Sequence, residues 1–158
     1  MIRIVFVCHG NICRSPAAAL WFRHLAEKAG CGDEFVIASR ALSSEEIYGV
    51  RGNPVYPPMR RLLEKEGVSC AGHQARLLTR EEYEQYDLII GMEQRHVERM
   101  HRLFGGDPAH KLSRLLDFTA HPQDIEDPWY SDRFDTVFRQ IQDGCAALLA
   151  RCRQEDRT

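Results

Sequence analysis

The sequence predicts an α/β fold: a single-domain, doubly wound parallel sheet with helices on both faces. Three observations carry this. Short apolar, β-branched runs alternate with stretches of helical period along the chain, the pattern of strand–helix–strand units. The chain opens with a clear unit of that kind: Ile2-Arg3-Ile4-Val5-Phe6-Val7, then a polar loop, then the helix-prone Pro16-Ala17-Ala18-Ala19-Leu20. Its 158 residues suit one domain with a full core.

In order, residues 2–7 read as a buried strand and residues 16–29 as a helix, with Leu20, Leu25 and Ala29 as expected core contacts and Gly30 and Gly32 as its stop. Residues 35–38 are the second strand, reached by a right-handed crossover. Residues 39–52 read as a loop at the carboxyl end of that strand, the edge where such sheets bind ligands. A helical region starts near Asn53-Pro54, becomes regular by Met59 and ends at Gly67. Thr79 and Glu82 have capping-box spacing for a short helix over 79–86. Residues 88–90 are a third strand, 93–104 a helix, and 112–116 a short fourth strand or a helical turn. The last helix runs from 132 to about 153 on a stripe of Phe134, Val137, Phe138, Ile141, Ala146 and Leu148, before a charged, frayed tail over 153–158.

Composition narrows the function classes. Apolar residues are 44% and charged residues 28% of a chain with net charge −2. Nothing in that balance favours nucleic acid or an anionic membrane as partner. There is no apolar run long enough to span a bilayer and no signal-peptide pattern, so no membrane insertion and a cytoplasmic setting are expected. The six cysteines, Cys8, Cys13, Cys31, Cys70, Cys145 and Cys152, are irregularly spaced and read as reduced thiols. Neither they nor the histidines have metal-ligand spacing, and no metal is expected.

The chemistry concentrates in Cys8-His9-Gly10-Asn11-Ile12-Cys13-Arg14-Ser15. Ser15 before Pro16 reads as an N-cap and N1 pair. The helix N-terminus that follows carries unpaired N–H groups and a positive dipole end, the makings of an anion site. Gly10 and Asn11 tolerate the positive φ of a tight wrap, and the Arg14 fork can grip two phosphate oxygens. A thiol in such surroundings is favoured as thiolate, the nucleophilic form. Cys8 is therefore expected to attack a phosphorus atom held by the amides of His9, Gly10, Asn11, Ile12 and Cys13 and by Arg14, with the Ser15 hydroxyl supporting the thiolate. A leaving alkoxide or phenoxide needs a proton from a nearby carboxylic acid; Asp124, Glu126 and Asp127 precede Pro128 and are the candidates.

The segment 8–16, together with Gly72-His73-Gln74-Ala75-Arg76 and Glu126-Asp127-Pro128-Trp129-Tyr130, resembles the low-molecular-weight protein tyrosine phosphatases over nearly the whole chain. That resemblance implies four strands in the order 2-1-3-4 and Asp127 as general acid and base. It implies a pocket with Ile12 at the floor and Trp129 and Tyr130 as walls, with Tyr48 the candidate wall from the 39–52 loop. It also implies support of the loop by His73, which would hold Asn11, and by Ser39, and protection of an oxidised Cys8 by a disulfide with Cys13. Glu93 reads as structural. His9 departs from the apolar residue more usual there and sits at the pocket mouth. No cofactor is expected, because Arg14 and the loop amides supply the electrostatics. The implied partners are phosphotyrosine proteins as substrates, inorganic phosphate as product, and a tyrosine kinase acting on tyrosines near the pocket.

Three other readings compete with this one. A thioredoxin-coupled arsenate reductase needs further cysteines, which residues 71–144 lack. A protein arginine phosphatase resembles a variant with threonine where this chain has Ile12. A non-catalytic phosphate-binding module or phosphocysteine carrier has no use for Asp127.

Overall fold

The computed structural model describes residues 1–155, so the final residues of the expected frayed tail lie outside the described part. Four parallel strands form the main sheet: β1 (Ile2–Cys8), β2 (Phe35–Ala41), β5 (Leu88–Gly91) and β6 (Leu112–Arg114), in the order β2-β1-β5-β6. Numbered by these four alone, that is the expected 2-1-3-4. β1 pairs along its whole length with β2, from Ile2 opposite Phe35 to Cys8 opposite Ala41. It therefore ends at the middle of the sheet, where the strand order reverses and ligands of open α/β sheets bind.

Helices cover both faces. α1 (Arg14–Lys28), α2 (Pro57–Lys65) and α5 (Phe134–Glu155) pack on one side over a core that includes Ile4, Phe6, Phe22, Met59, Ile90 and Ile141. α3 (Gln94–Phe104) and a 3₁₀ turn over Arg80–Glu84 cover the other, around Val5, Val7, Tyr83, Ile89 and Met100. The capping box of Thr79 and Glu82 forms as expected. Residues 112–116 turn out to be both things at once: strand β6, then a 3₁₀ turn over Leu115–Phe118.

Several local expectations are corrected. α1 buries Ala17, Ala18, Trp21, Phe22 and Ala26, while Leu20 and Leu25 sit at the edge of the core and Ala29 is an exposed C-cap. In α5, Ala146 faces solvent and Cys145, Leu149 and Cys152 complete the stripe. That helix holds through Glu155, past the point where fraying was expected, and a short α4 (Pro128–Ser131) precedes it. α2 begins at Pro57, since both prolines fit the first turn, where no N–H partner is lost.

The 39–52 segment is not a plain loop. It carries a small antiparallel hairpin of β3 (Ile47–Tyr48) and β4 (Arg51–Gly52). Gly52 presses on the backbone of Ala75, with no room for a Cβ, and Ala75 N–H donates to Asn53 O at 3.0 Å. Gly144, within α5, admits Leu115: a Cβ there would lie 2.5 Å from Leu115 Cγ. No helix among the described residues is long and apolar enough to cross a membrane.

Candidate active site

Chain geometry brings Cys8 and Arg14 together. β1 ends at Cys8 and α1 begins at Arg14, so the intervening residues wrap the helix start at the central strand's carboxyl end. The helix starts one residue before the expected N-cap: Cys13 occupies that position and Ser15 is buried inside the first turn. This frees the Ser15 side chain for the sulfur. Cys8 Sγ lies 3.0 Å from Ser15 Oγ, and Ser15 N–H donates to it at 3.4 Å. Asn11 Nδ2 donates to the same hydroxyl at 2.8 Å. The Ser15 hydroxyl donates to Arg40 O at a long 3.5 Å, and when Cys8 ionises the same hydrogen can turn to the sulfur 3.0 Å away.

Asn11, and not Gly10, takes the left-handed turn, with φ 59°. It is fully buried. Its Oδ1 accepts from the Arg76 N–H at 3.0 Å, and its carbonyl oxygen lies 2.8 Å from His73 Nε2. Burial lowers the His73 pKa against the opposing effect of that hydrogen bond, so the ring is neutral and Nε2 is the donor. His73 thus holds Asn11 through its backbone carbonyl, and Arg76 holds its side chain.

Arg14 is buried and fixed from behind. Nη1 donates to Glu93 Oε2 at 2.6 Å and to Ile125 O at 2.8 Å. Burial opposes its charge, but Cys8, Glu93 and Asp127 together keep its pKa raised. Burial likewise opposes ionisation of Glu93, and Arg14 overcomes it, keeping that carboxyl below its ordinary value. Glu93 therefore anchors the Arg14 guanidinium from behind. Its neighbour His96 is buried with Nδ1 accepting from the N–H groups of Met92 (3.3 Å) and Glu93 (3.1 Å). Burial, then the Arg14 charge, push this imidazole down to about 3.

Across the cleft, Asp127 caps α4. Its Oδ1 accepts from Trp129 N–H at 3.0 Å, which leaves Oδ2 facing the guanidinium, 3.7 Å from Arg14 Nη2. The cleft has a volume of about 450 Å³. Cys8, Ile12, Cys13 and Arg14 line it below, Glu45 and Glu46 on one rim, and Asp127, Trp129 and Tyr130 on the other. Burial, then the charge of Cys8, push the Cys13 thiol up, so it stays protonated beside Cys8.

Two expected residues lie elsewhere. Tyr48 is on the hairpin, exposed, and does not line the cleft; Tyr56 does, together with Phe134. Tyr56 stacks near Trp129 and Phe134, with ring centroids 5.2 and 5.9 Å away. Ser39 makes no hydrogen bond to the loop; the carbonyl oxygen next to it, that of Arg40, lies 3.5 Å from Ser15 Oγ. His9 stands at the rim between Glu45 Oε2 (3.1 Å from Nε2) and Arg99, whose Nη1 lies 3.3 Å from Nδ1. Cys8, Cys13, Cys31, Cys70 and Cys145 are unbridged thiols, and no cluster with metal-binding composition occurs among the described residues.

The family model for low molecular weight phosphotyrosine protein phosphatases matches residues 3–158. The chain belongs to this family. Among phosphatases of the family, the low molecular weight protein-tyrosine-phosphatase YfkJ of Bacillus subtilis is 34% identical over 157 residues, covering 98% of each chain. The human low molecular weight phosphotyrosine protein phosphatase is 32% identical over 151 residues, covering 92% of each. The crystal structure of YfkJ superposes with a TM-score of 0.92 at 33% identity, covering 98% of this chain and 96% of that one. These phosphatase matches cover from 92% to nearly all of the chain.

Proposed function

We propose that the protein hydrolyses phosphotyrosine and other aryl phosphate monoesters through a phosphocysteine on Cys8. One observation carries the reading: a buried, back-anchored Arg14 faces Asp127 Oδ2 at 3.7 Å across a cleft with Cys8 at its base. In the first step the Cys8 thiolate forms an S–P bond while the P–O bond to tyrosine breaks, and protonated Asp127 gives its proton to the leaving phenoxide. Arg14 and the loop N–H groups hold the three equatorial oxygens, whose charge spreads in a loose transition state. In the second step the Asp127 carboxylate takes a proton from water. The oxygen of that water attacks phosphorus, the S–P bond breaks, and inorganic phosphate leaves with the thiolate restored. No step calls on a cofactor.

The flat walls of Tyr56 and Trp129 suit a phenyl ring, and Ile12 gives it an apolar contact. Cys13 serves as the resolving thiol when Cys8 is oxidised. A tyrosine kinase partner fits the exposed Tyr130 at the rim, and reduced cysteines fit a cytoplasmic setting. The decisive assay compares p-nitrophenyl phosphate, a phosphotyrosine peptide and a phosphoarginine peptide with the parent and with Cys8→Ser. The parent turns over both aryl esters, Cys8→Ser neither. No aryl phosphate turnover by the parent ends the reading, and preference for phosphoarginine replaces it with an arginine phosphatase.

A further inference from the structure

A second groove lies along the outer edge of the sheet, on the far side of His73 from the catalytic cleft. It has a volume of about 350 Å³, within the range of small-ligand sites. One wall is the α1 face of Pro16, Ala19, Leu20 and Arg23, four residues at helical spacing. The base is β2 from Ile37 to Arg40, and the opposite wall is the segment from Ala71 to Arg76.

Its charge is one-sided. Arg23, Arg40, Arg76 and His73 line it and no carboxylate does. Arg40 is neutralised by Glu82, 3.0 Å from its Nε. Arg23 and Arg76 are exposed and, among the described residues, have no acidic partner. β2 is an edge strand. Ala41 N–H points outward to Arg76 O at 2.6 Å. Strand alternation turns the Ser39 N–H to the same edge, into the groove. Arg23, whose Nη2 donates to Ile37 O at 3.5 Å, and Arg76 thus line the groove with no carboxylate to neutralise them, beside an edge amide and the apolar surface of Ala19 and Leu20, which suits an anionic head with an apolar tail.

We propose that this groove is a second anion site that takes a small organic phosphate, its phosphate at Arg23 and Arg76 and its apolar part against Ala19 and Leu20. The same wall reaches the catalytic loop: Arg76 N–H and His73 Nε2 both bond Asn11. Occupancy of the groove is therefore felt at the nucleophile's support. The binding half does not rest on the phosphatase reading, because it is read without turnover.

The test is a ¹⁵N amide titration of the full chain with methylphosphonate and with hexylphosphonate. Saturable shifts are expected at residues 37–40 and 71–76, at about tenfold lower concentration for the hexyl probe, whose methylenes reach the apolar wall. In Arg23→Glu these shifts weaken about tenfold or more, while the shifts of residues 8–15 keep their concentration dependence. Equal midpoints at 37–40 and 71–76 in parent and variant, or midpoints that track those of residues 8–15, overturn the site. With the groove filled and p-nitrophenyl phosphate saturating, kcat changes about fivefold or more in the parent and not in Arg23→Glu. An unmoved kcat in the parent overturns the link to the loop.

Discussion

Asn11 concentrates the loop's design in one side chain, and replacing it separates three contributions. In Asn11→Ala two buried hydrogen bonds disappear, from Nδ2 to Ser15 Oγ and from Arg76 N–H to Oδ1. Each is worth about 1 kcal/mol, with the Arg76 N–H left unpaired. The backbone stays at φ 59°, where an alanine pays about 1–2 kcal/mol that asparagine largely avoids. The sum is a loss of about 3–4 kcal/mol, or about 10 °C in Tm for a domain of this size. Asn11→Gly loses the same bonds without the φ penalty, so it should be about 1 kcal/mol more stable than the alanine variant. In both, the Ser15 hydroxyl loses the donor that orients it, and kcat should fall about tenfold, one hydrogen bond's worth. Urea unfolding followed by circular dichroism, with p-nitrophenyl phosphate kinetics on the same samples, measures all three. An alanine variant within 1 kcal/mol of the parent, or one indistinguishable from the glycine variant, refutes the account.

Other expectations follow from the same site. Asp127→Asn keeps the cap on Trp129 N–H but cannot donate or accept the catalytic proton; kcat on phosphotyrosine should drop about 10²–10⁴-fold, and a steady-state rate near the parent's removes the acid. His96, surrounded by Glu93, Arg14, Arg95 and Arg99, is neutral when folded down to about 3, whereas unfolded histidine titrates near 6.5. Between those values the unfolded chain binds the extra proton, so stability is lost as pH falls, by about 1.4 kcal/mol per unit. Unfolding free energies from urea titrations at pH 7 and pH 5 should differ by about 2 kcal/mol less in His96→Asn than in the parent, and identical pH dependence would exclude the assignment. Cys13→Ser should retain turnover yet fail to regain it with dithiothreitol after peroxide; full recovery removes the protective disulfide.

What could be read in advance divides by range. The strand–loop–helix around Cys8 and the capping box of Thr79 and Glu82 are local, and both were legible because residue type and spacing settle them. The buried face of α1 was misjudged because three consecutive alanines carry no hydrophobic contrast, so periodicity could not choose between Leu20 and Trp21. Tyr56 was hidden inside a helical region read as starting near Asn53-Pro54, whereas the helix begins only at Pro57 with Tyr56 as its N-cap. The hairpin of β3 and β4 had too few residues for a period to show. Glu93 as the anchor of Arg14 bridges 79 positions, and no single sequence states a pairing of that separation. The one cue was an acid directly after the third strand, at the same sheet end as Cys8.

The stretch between the last strand and the acid is pinned at both ends. Leu115 sits in the notch left by Gly144. Ile125 is fully buried, its N–H on Met92 O and its carbonyl on Arg14. Residues 120–123 hang between those two pins in solvent. A fluorophore or an affinity handle grafted there rides on a suspended span, and the spacing between carboxylate and sulfur should not register its presence.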